Sequence, residues 1–197
     1  MKEKSSIEIL EDFAKRKEIR FYTNSSVKNN FLSPSKRFSS VKFIVFDLGK
    51  VSKNLFFIFY DSFATKAQTS KTYSGLFMRT LKCKDKIKIM KRDWFDVISF
   101  KKRLKTGDPF IDKHLTIFSE SDVVNTTLIH SKNMREFIQI TEKIMPLELM
   151  TFQSSMSIVP ELHGNDFIAL RTNTWILDEK LLEYFMAKGS ELLKRMK

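Results

Sequence analysis

Apolar residues repeat at helical spacing in the first turns of the chain and again past its midpoint. Near the N-terminus, Ser5 and Glu8 have the spacing of a capping box, and the apolar residues of 5–18 fall on one face of a helix. A second stretch with the same period covers Ser131–Met145, and Pro146 ends it. The pattern therefore predicts one helix at the start of the chain and one in its second half.

A long amphipathic helix is predicted at the C-terminal end. Its apolar positions recur at three- and four-residue intervals: Leu177, Leu181, Leu182, Phe185, Met186, Leu192, Leu193 and Met196. On its polar side, Glu191 and Arg195 stand four residues apart, and we expect them to form an ion pair across one turn.

Between these helices the pattern has the period of two that is typical of strands. Strands are predicted at Ile19–Thr23, Val41–Leu48, Leu55–Tyr60, Gly75–Met90 and His114–Phe118, followed by a meander of Leu147–Phe152, Met156–Val159 and Asp166–Thr172. Runs of strands with helices grouped elsewhere indicate an α+β fold: a predominantly antiparallel sheet with helices at the N-terminus, mid-chain and C-terminus.

Three connecting segments are less regular. The polar stretch Asp61–Tyr73 is interpreted as a mobile hairpin tip or loop. Residues 94–104 fit either an amphipathic helix or a linker, a turn is predicted at 106–109, and a short helix is predicted from Val123 to Leu128.

The chain has 197 residues, of which 42% are hydrophobic, and this is enough for one domain with a substantial core. Charge is distributed unevenly along it. Residues 1–106 contain 25 basic and 10 acidic residues, net +15, whereas residues 107–197 contain 10 and 13, net −3. We therefore predict a single α+β domain over residues 1–197, with a basic lobe (1–106) and a neutral-acidic lobe (107–197) as the alternative.

Cysteine content and hydropathy bear on the compartment. Cys83 is the one cysteine, so no internal disulfide can form, and this suits a reducing cytoplasm. The longest apolar run, Leu55–Tyr60, is far shorter than the ~20 residues that span a bilayer. We expect a soluble, cytoplasmic protein, with peripheral attachment to a membrane left open.

The strongest functional signal is a basic stretch in the middle of the chain. Residues 79–105 contain 11 basic and 3 acidic residues. Lysines that alternate along a strand stand on one sheet face, so their fields add. The candidate anion-binding residues are Lys82, Lys84, Lys86, Lys88, Lys91, Arg92, Lys101, Lys102 and Arg103. Three interpretations stay open: a solvated face, a surface for anionic lipid or an acidic protein, and, less favoured, a nucleic-acid interface.

No constellation of residues indicates catalysis. His114, His130 and His163 lack partners at metal-ligand spacing, and the sequence contains no glycine-rich phosphate loop. We therefore predict no cofactor and no metal, and favour a non-enzymatic binding or scaffold module. A hydrolase is the alternative if folding brings His114 or His163 beside a carboxylate or Cys83 in a deep pocket.

Two segments carry a family resemblance. Tyr73–Phe77 and Gly107–Asp122, followed by Leu128–Ser131 and Met134, resemble the strand, helix and turn motifs of an uncharacterised bacterial family. Members of that family are usually membrane-anchored by two N-terminal helices that precede a soluble domain of unknown function. These 197 residues contain no such pair of helices, and Ser131 stands at the family's proline. The resemblance implies an α+β domain that works near a membrane, and it assigns no catalytic residue.

Overall fold

A computed structural model describes residues 4–24, 40–64, 69–80, 86–93, 103–120, 128–152 and 158–196. These residues form an α+β fold, as predicted. The helices are α1 (Ser6–Arg16), α2 (Pro109–His114), α3 (Ser131–Lys143) and α4 (Glu179–Arg195), with a 3-10 turn at Pro160–Leu162. The strands are β1 (Arg20–Thr23), β2 (Ser40–Asp47), β3 (Leu55–Ala64), β4 (Thr69–Arg79), β5 (Ile87–Lys91), β6 (Leu115–Ser119), β7 (Glu148–Phe152) and β8 (Phe167–Thr172).

The eight strands form one antiparallel sheet in the order β1-β2-β3-β4-β8-β7-β5-β6. The first four follow the chain, whereas β8 lies between β4 and β7. Strands from before and after residue 107 therefore share one hydrogen-bonded sheet, and β5 and β6 occupy one end of the strand order.

The helices cover one face of the sheet. Leu10 and Phe13 of α1, Phe137 of α3 and Phe185 of α4 belong to a single buried cluster with the inward residues of the strands. Phe57 of β3 meets Phe185 edge to face, with ring centroids 5.5 Å apart. This is the amphipathic packing that the helical periodicity predicts, because each helix buries its apolar stripe against the sheet.

The other face has a smaller apolar cluster. Phe43, Phe56, Phe77 and Phe167 pack there with the residues of the turn at 158–162. Val41–Leu48 thus has apolar residues on both faces, which is typical of a strand in the middle of a layered structure.

Two predicted boundaries are wrong. Asp61–Tyr73 is largely paired strand, because β3 runs to Ala64 and β4 begins at Thr69. Thr72 donates a hydrogen bond to Asp61 across the strands at 2.7 Å, and cross-strand polar pairs of this kind stabilise an exposed hairpin. The predicted strand at Met156–Val159 is also wrong where it is described, since Ile158 and Val159 lie in a turn before the 3-10 turn.

Helix α2 was not expected from the sequence. The turn at 106–109 is present, but Asp108 caps a helix that starts at Pro109, and its carboxylate accepts the Phe110 N–H at 2.9 Å.

The single strand predicted at Gly75–Met90 is two strands, β4 and β5, which are not neighbours in the sheet. Residues 94–102, and the helix predicted at Val123–Leu128 except for Leu128, lie outside the described residues.

Candidate functional site

The predicted anion-binding residues separate into three groups. Lys82, Lys84, Lys101 and Lys102 lie outside the described residues, as does Cys83. Lys86 and Lys88 lie at the start of β5 and are paired with carboxylates. The remaining three, Lys91, Arg92 and Arg103, lie near the other end of β5 and beside β6.

Lys88 belongs to a charged cluster on the sheet face opposite the helices. Its ammonium lies 2.6 Å from the Glu148 carboxylate, and Arg171 lies 2.8 Å from the same carboxylate. Burial alone would raise the pKa of Glu148, but hydrogen bonds from Lys88 and Arg171 outweigh it and hold that pKa below its usual range. Lys86 similarly lies 3.3 Å from Glu120. Neither lysine therefore offers its full charge to a partner.

A pocket of about 460 Å³ lies beside the outer edge of β6, and we call it the basic pocket. Its polar lining is Arg92, Arg103, Lys105, Lys113, Asp112 and Thr116, and its apolar lining is Leu104, Pro109, Leu115 and Ile117. Four basic side chains thus meet one acidic side chain, although they are up to 21 residues apart in sequence. A concave site of this size is in the range of small-ligand pockets.

The wall of the basic pocket is a tightly bonded turn. Asp112 of α2 accepts hydrogen bonds from the Thr106 N–H at 2.9 Å and the Thr106 hydroxyl at 2.8 Å. It also accepts the Gly107 N–H at 3.3 Å, and Gly107 has a φ of 82°, which glycine adopts without strain. The one carboxylate of the pocket is therefore already engaged by its own turn.

The two arginines are held from different elements. Arg103 forms an antiparallel bridge with Phe118, and the next N–H, that of Leu104, bonds the Ile117 carbonyl at 2.9 Å. This places Arg103 on the exposed edge of β6. Arg92 extends β5 and donates from its guanidinium to the Asp112 carbonyl at 3.1 Å. The main chain of Arg103 and the guanidinium of Arg92 are thus held by backbone groups rather than by ion pairs.

The basic pocket carries unpaired positive charge. In the described parts of the chain, Arg92, Arg103, Lys105 and Lys113 take part in no ion pair, unlike Lys86 and Lys88. Nη2 of Arg103 is buried and has no hydrogen-bond partner among the described residues, which is costly for a donor. Because this atom is shielded from the surface, it can bond a ligand only if the guanidinium turns toward the pocket.

Sequence reasoning missed one basic member of this pocket, Lys113. Lys105 belongs to the basic stretch at 79–105 that the charge count singles out. Lys113 belongs to the half of the chain with net charge −3, so charge counting could not have identified it. Its place depends on α2, which the sequence analysis did not predict.

The histidines have local structural contacts. His114 Nδ1 lies 2.8 Å from the Phe110 carbonyl, and His130 caps α3 by accepting the Lys132 N–H. His163 is exposed after the 3-10 turn. Among the described residues, no group of three or more His, Cys, Asp or Glu side chains could hold a metal ion.

Comparison with known proteins adds no relative: no protein family, curated protein or solved structure matches the chain. Within the described residues, no helix has both the length and the apolar character needed to cross a bilayer.

Proposed function

We propose that the protein is a non-enzymatic binding module that attaches to an anionic membrane surface through the basic pocket. The observation that supports this is the convergence of Arg92, Arg103, Lys105 and Lys113 without an ion-pair partner in the described chain. An acidic surface neutralises such a cluster from outside the protein. The proposal places the protein in the cytoplasm, on a leaflet rich in anionic lipid.

The expected strength of this attachment follows from the number of charges. Each basic residue near an anionic bilayer contributes roughly 1 kcal/mol. Four residues therefore give roughly 4 kcal/mol, which corresponds to a dissociation constant near 1 mM. Attachment of this kind is reversible and is weakened by salt, because the Debye length is only about 8 Å at physiological ionic strength.

Of the two partners of this kind that the sequence left open, an anionic membrane and an acidic protein, we propose the membrane. Nucleic acid binds a basic pocket by the same electrostatics and is weakened by salt in the same way. Salt dependence therefore does not separate the two partners, and the test must compare them directly.

The test is sedimentation with vesicles of phosphatidylcholine alone and with added phosphatidylserine, next to a gel shift with mixed RNA and DNA. The variant is Arg92→Gln with Lys105→Gln and Lys113→Gln, which removes three charges from the basic pocket. The control is Lys50→Gln with Lys53→Gln and Lys180→Gln, three exposed lysines away from it. Both variants change the net charge equally.

We expect binding to the anionic vesicles only, weakened roughly 100-fold by the pocket variant. The control should lose far less, because distant charges are screened. If the pocket variant and the control variant sediment equally with anionic vesicles, the basic pocket does not bind the membrane and its charge only keeps the protein in solution. A gel shift without vesicle binding would instead favour the nucleic-acid alternative.

A further inference from the structure

We propose that the basic pocket is a discrete site for one phosphate monoester, with Arg103 and Arg92 as its principal ligands. This inference rests on the proposed function, since it names the anionic group that the pocket selects at the membrane. The same chemistry occurs on a lipid headgroup, as in phosphatidate, and on a soluble organic phosphate.

Charge favours a monoester over a diester. The side chains that line the pocket carry four positive charges and one negative charge. A phosphate monoester carries −1.5 to −2 at neutral pH and presents three terminal oxygens. A diester carries one negative charge and leaves more of the pocket's charge unmatched.

Arginine chemistry points to the same group. A guanidinium presents a planar fork of donors that matches a phosphate, and its hydrogen bonds to an ionised oxygen are stronger than neutral ones. Arg92 is already oriented by the Asp112 carbonyl, so one guanidinium of the site is held in place before a ligand arrives, which lowers the entropy cost of binding. Nη2 of Arg103 is buried without a partner among the described residues, and turning this guanidinium toward the phosphate would give that donor an acceptor.

The size of the pocket indicates an organic phosphate rather than an inorganic ion. The volume of about 460 Å³ leaves room beside a phosphate group. Leu104 and Pro109 line it next to Leu115 and Ile117, whose side chains are almost wholly buried in the core. Leu104 and Pro109 can contact the carbon atoms next to the ester oxygen, so the ligand should be amphiphilic.

The lipid arm of the test compares vesicles that contain phosphatidate with vesicles that contain phosphatidylserine, adjusted to equal surface charge. The soluble arm is calorimetric titration with glycerol 3-phosphate. Each arm uses the wild type, Arg103→Gln, Arg92→Gln and the control Lys86→Gln, whose lysine pairs with Glu120. Circular dichroism establishes whether each variant is folded. If Arg103→Gln does not fold, the binding of Arg92→Gln alone decides the test.

We expect at least tenfold tighter binding to phosphatidate than to phosphatidylserine at equal charge. We also expect one glycerol 3-phosphate per chain, with a tenfold or greater loss in either arginine variant and little loss in Lys86→Gln. Both proposals then stand.

Three other results overturn one proposal or both. Equal binding to the two charge-matched vesicles, without uptake of glycerol 3-phosphate, refutes the discrete site and leaves the electrostatic attachment. Arginine-dependent binding of glycerol 3-phosphate without binding to any vesicle refutes the membrane function and assigns the pocket to a soluble phosphate. No binding in either arm refutes both.

Discussion

Replacing Gly75 with alanine should be among the most damaging single-methyl changes in this protein. Gly75 lies in β4, where its neighbours in the sheet are Ile58 of β3 and Arg171 of β8. A Cβ at this position would lie 2.1 Å from the Leu170 carbonyl oxygen and 2.9 Å from the Arg171 Cα. Both neighbours are backbone atoms, so no side-chain rotation can relieve the contact.

The loss of stability depends on how far β4 and β8 must separate to admit the new methyl group. Overpacking a core costs about 1–3 kcal/mol, and a contact with backbone belongs at the upper end because β4 and β8 must separate. Alanine also restricts the unfolded chain, which offsets about 0.4–1 kcal/mol. We therefore expect Gly75→Ala to lower the free energy of unfolding by about 2–3 kcal/mol, a large fraction of the 5–15 kcal/mol typical of a domain.

The assay is urea denaturation followed by circular dichroism, with Gly49→Ala as the matched control. A Cβ at Gly49 would lie 2.9 Å from Oδ1 of Asp47, a side-chain atom that can rotate away. Gly49→Ala should therefore change the free energy of unfolding by less than about 0.5 kcal/mol. Equal stability of the two variants would show that the close approach of β4 to β8 is not required for the fold.

Two further predictions concern charged contacts. Glu148→Gln should lower the free energy of unfolding by about 1–2 kcal/mol at pH 7, less than for a fully buried pair because water partly screens Lys88 and Arg171. Since the folded pKa of Glu148 lies below its ordinary value, its stabilisation is present above the unfolded pKa and is lost as the pH falls through the folded pKa. Urea denaturation at pH 7 and pH 3 should therefore show the difference from wild type shrinking in acid, and a constant difference would contradict this account. Asp108→Ala should lower the melting temperature measured by circular dichroism more than Asp108→Asn, because the asparagine oxygen can still accept the Phe110 N–H that caps α2, and its NH2 group can donate to the Ser131 hydroxyl; equal losses would show that the capping contacts do not matter.

Much of the secondary structure could be predicted from the sequence because the signals are local. The capping box of Ser5 and Glu8 is present at the start of α1, with the Ser5 N–H donating to Glu8 at 2.7 Å. The 3.6-residue period located α3 and α4, the period of two located β2, and the short apolar run Leu55–Tyr60 located most of β3. These patterns also indicated the fold class, since each element must bury its apolar side against another.

The ion-pair partner of Arg195 was not local. The sequence predicted that Arg195 pairs with Glu191 within α4, but it pairs with Glu136 of α3, and Glu191 pairs with Lys188 one turn before it. Helical spacing makes a contact available, whereas packing of a second helix against the first decides which partner is nearer.

The candidate site depended on the tertiary structure in the same way. Alternation could place Lys88 on one face of a strand. Glu148 lies beside Lys88 because β7 pairs with β5, and Arg171 joins them because β8 pairs with the other edge of β7. Residue-type patterns could mark Arg92 and Arg103 as basic, yet Lys113 joined them only because α2 leads into β6 beside the Arg103 bridge. Periodicity fixes which side of an element a residue occupies, and the long-range pairing of strands fixes which residues meet there.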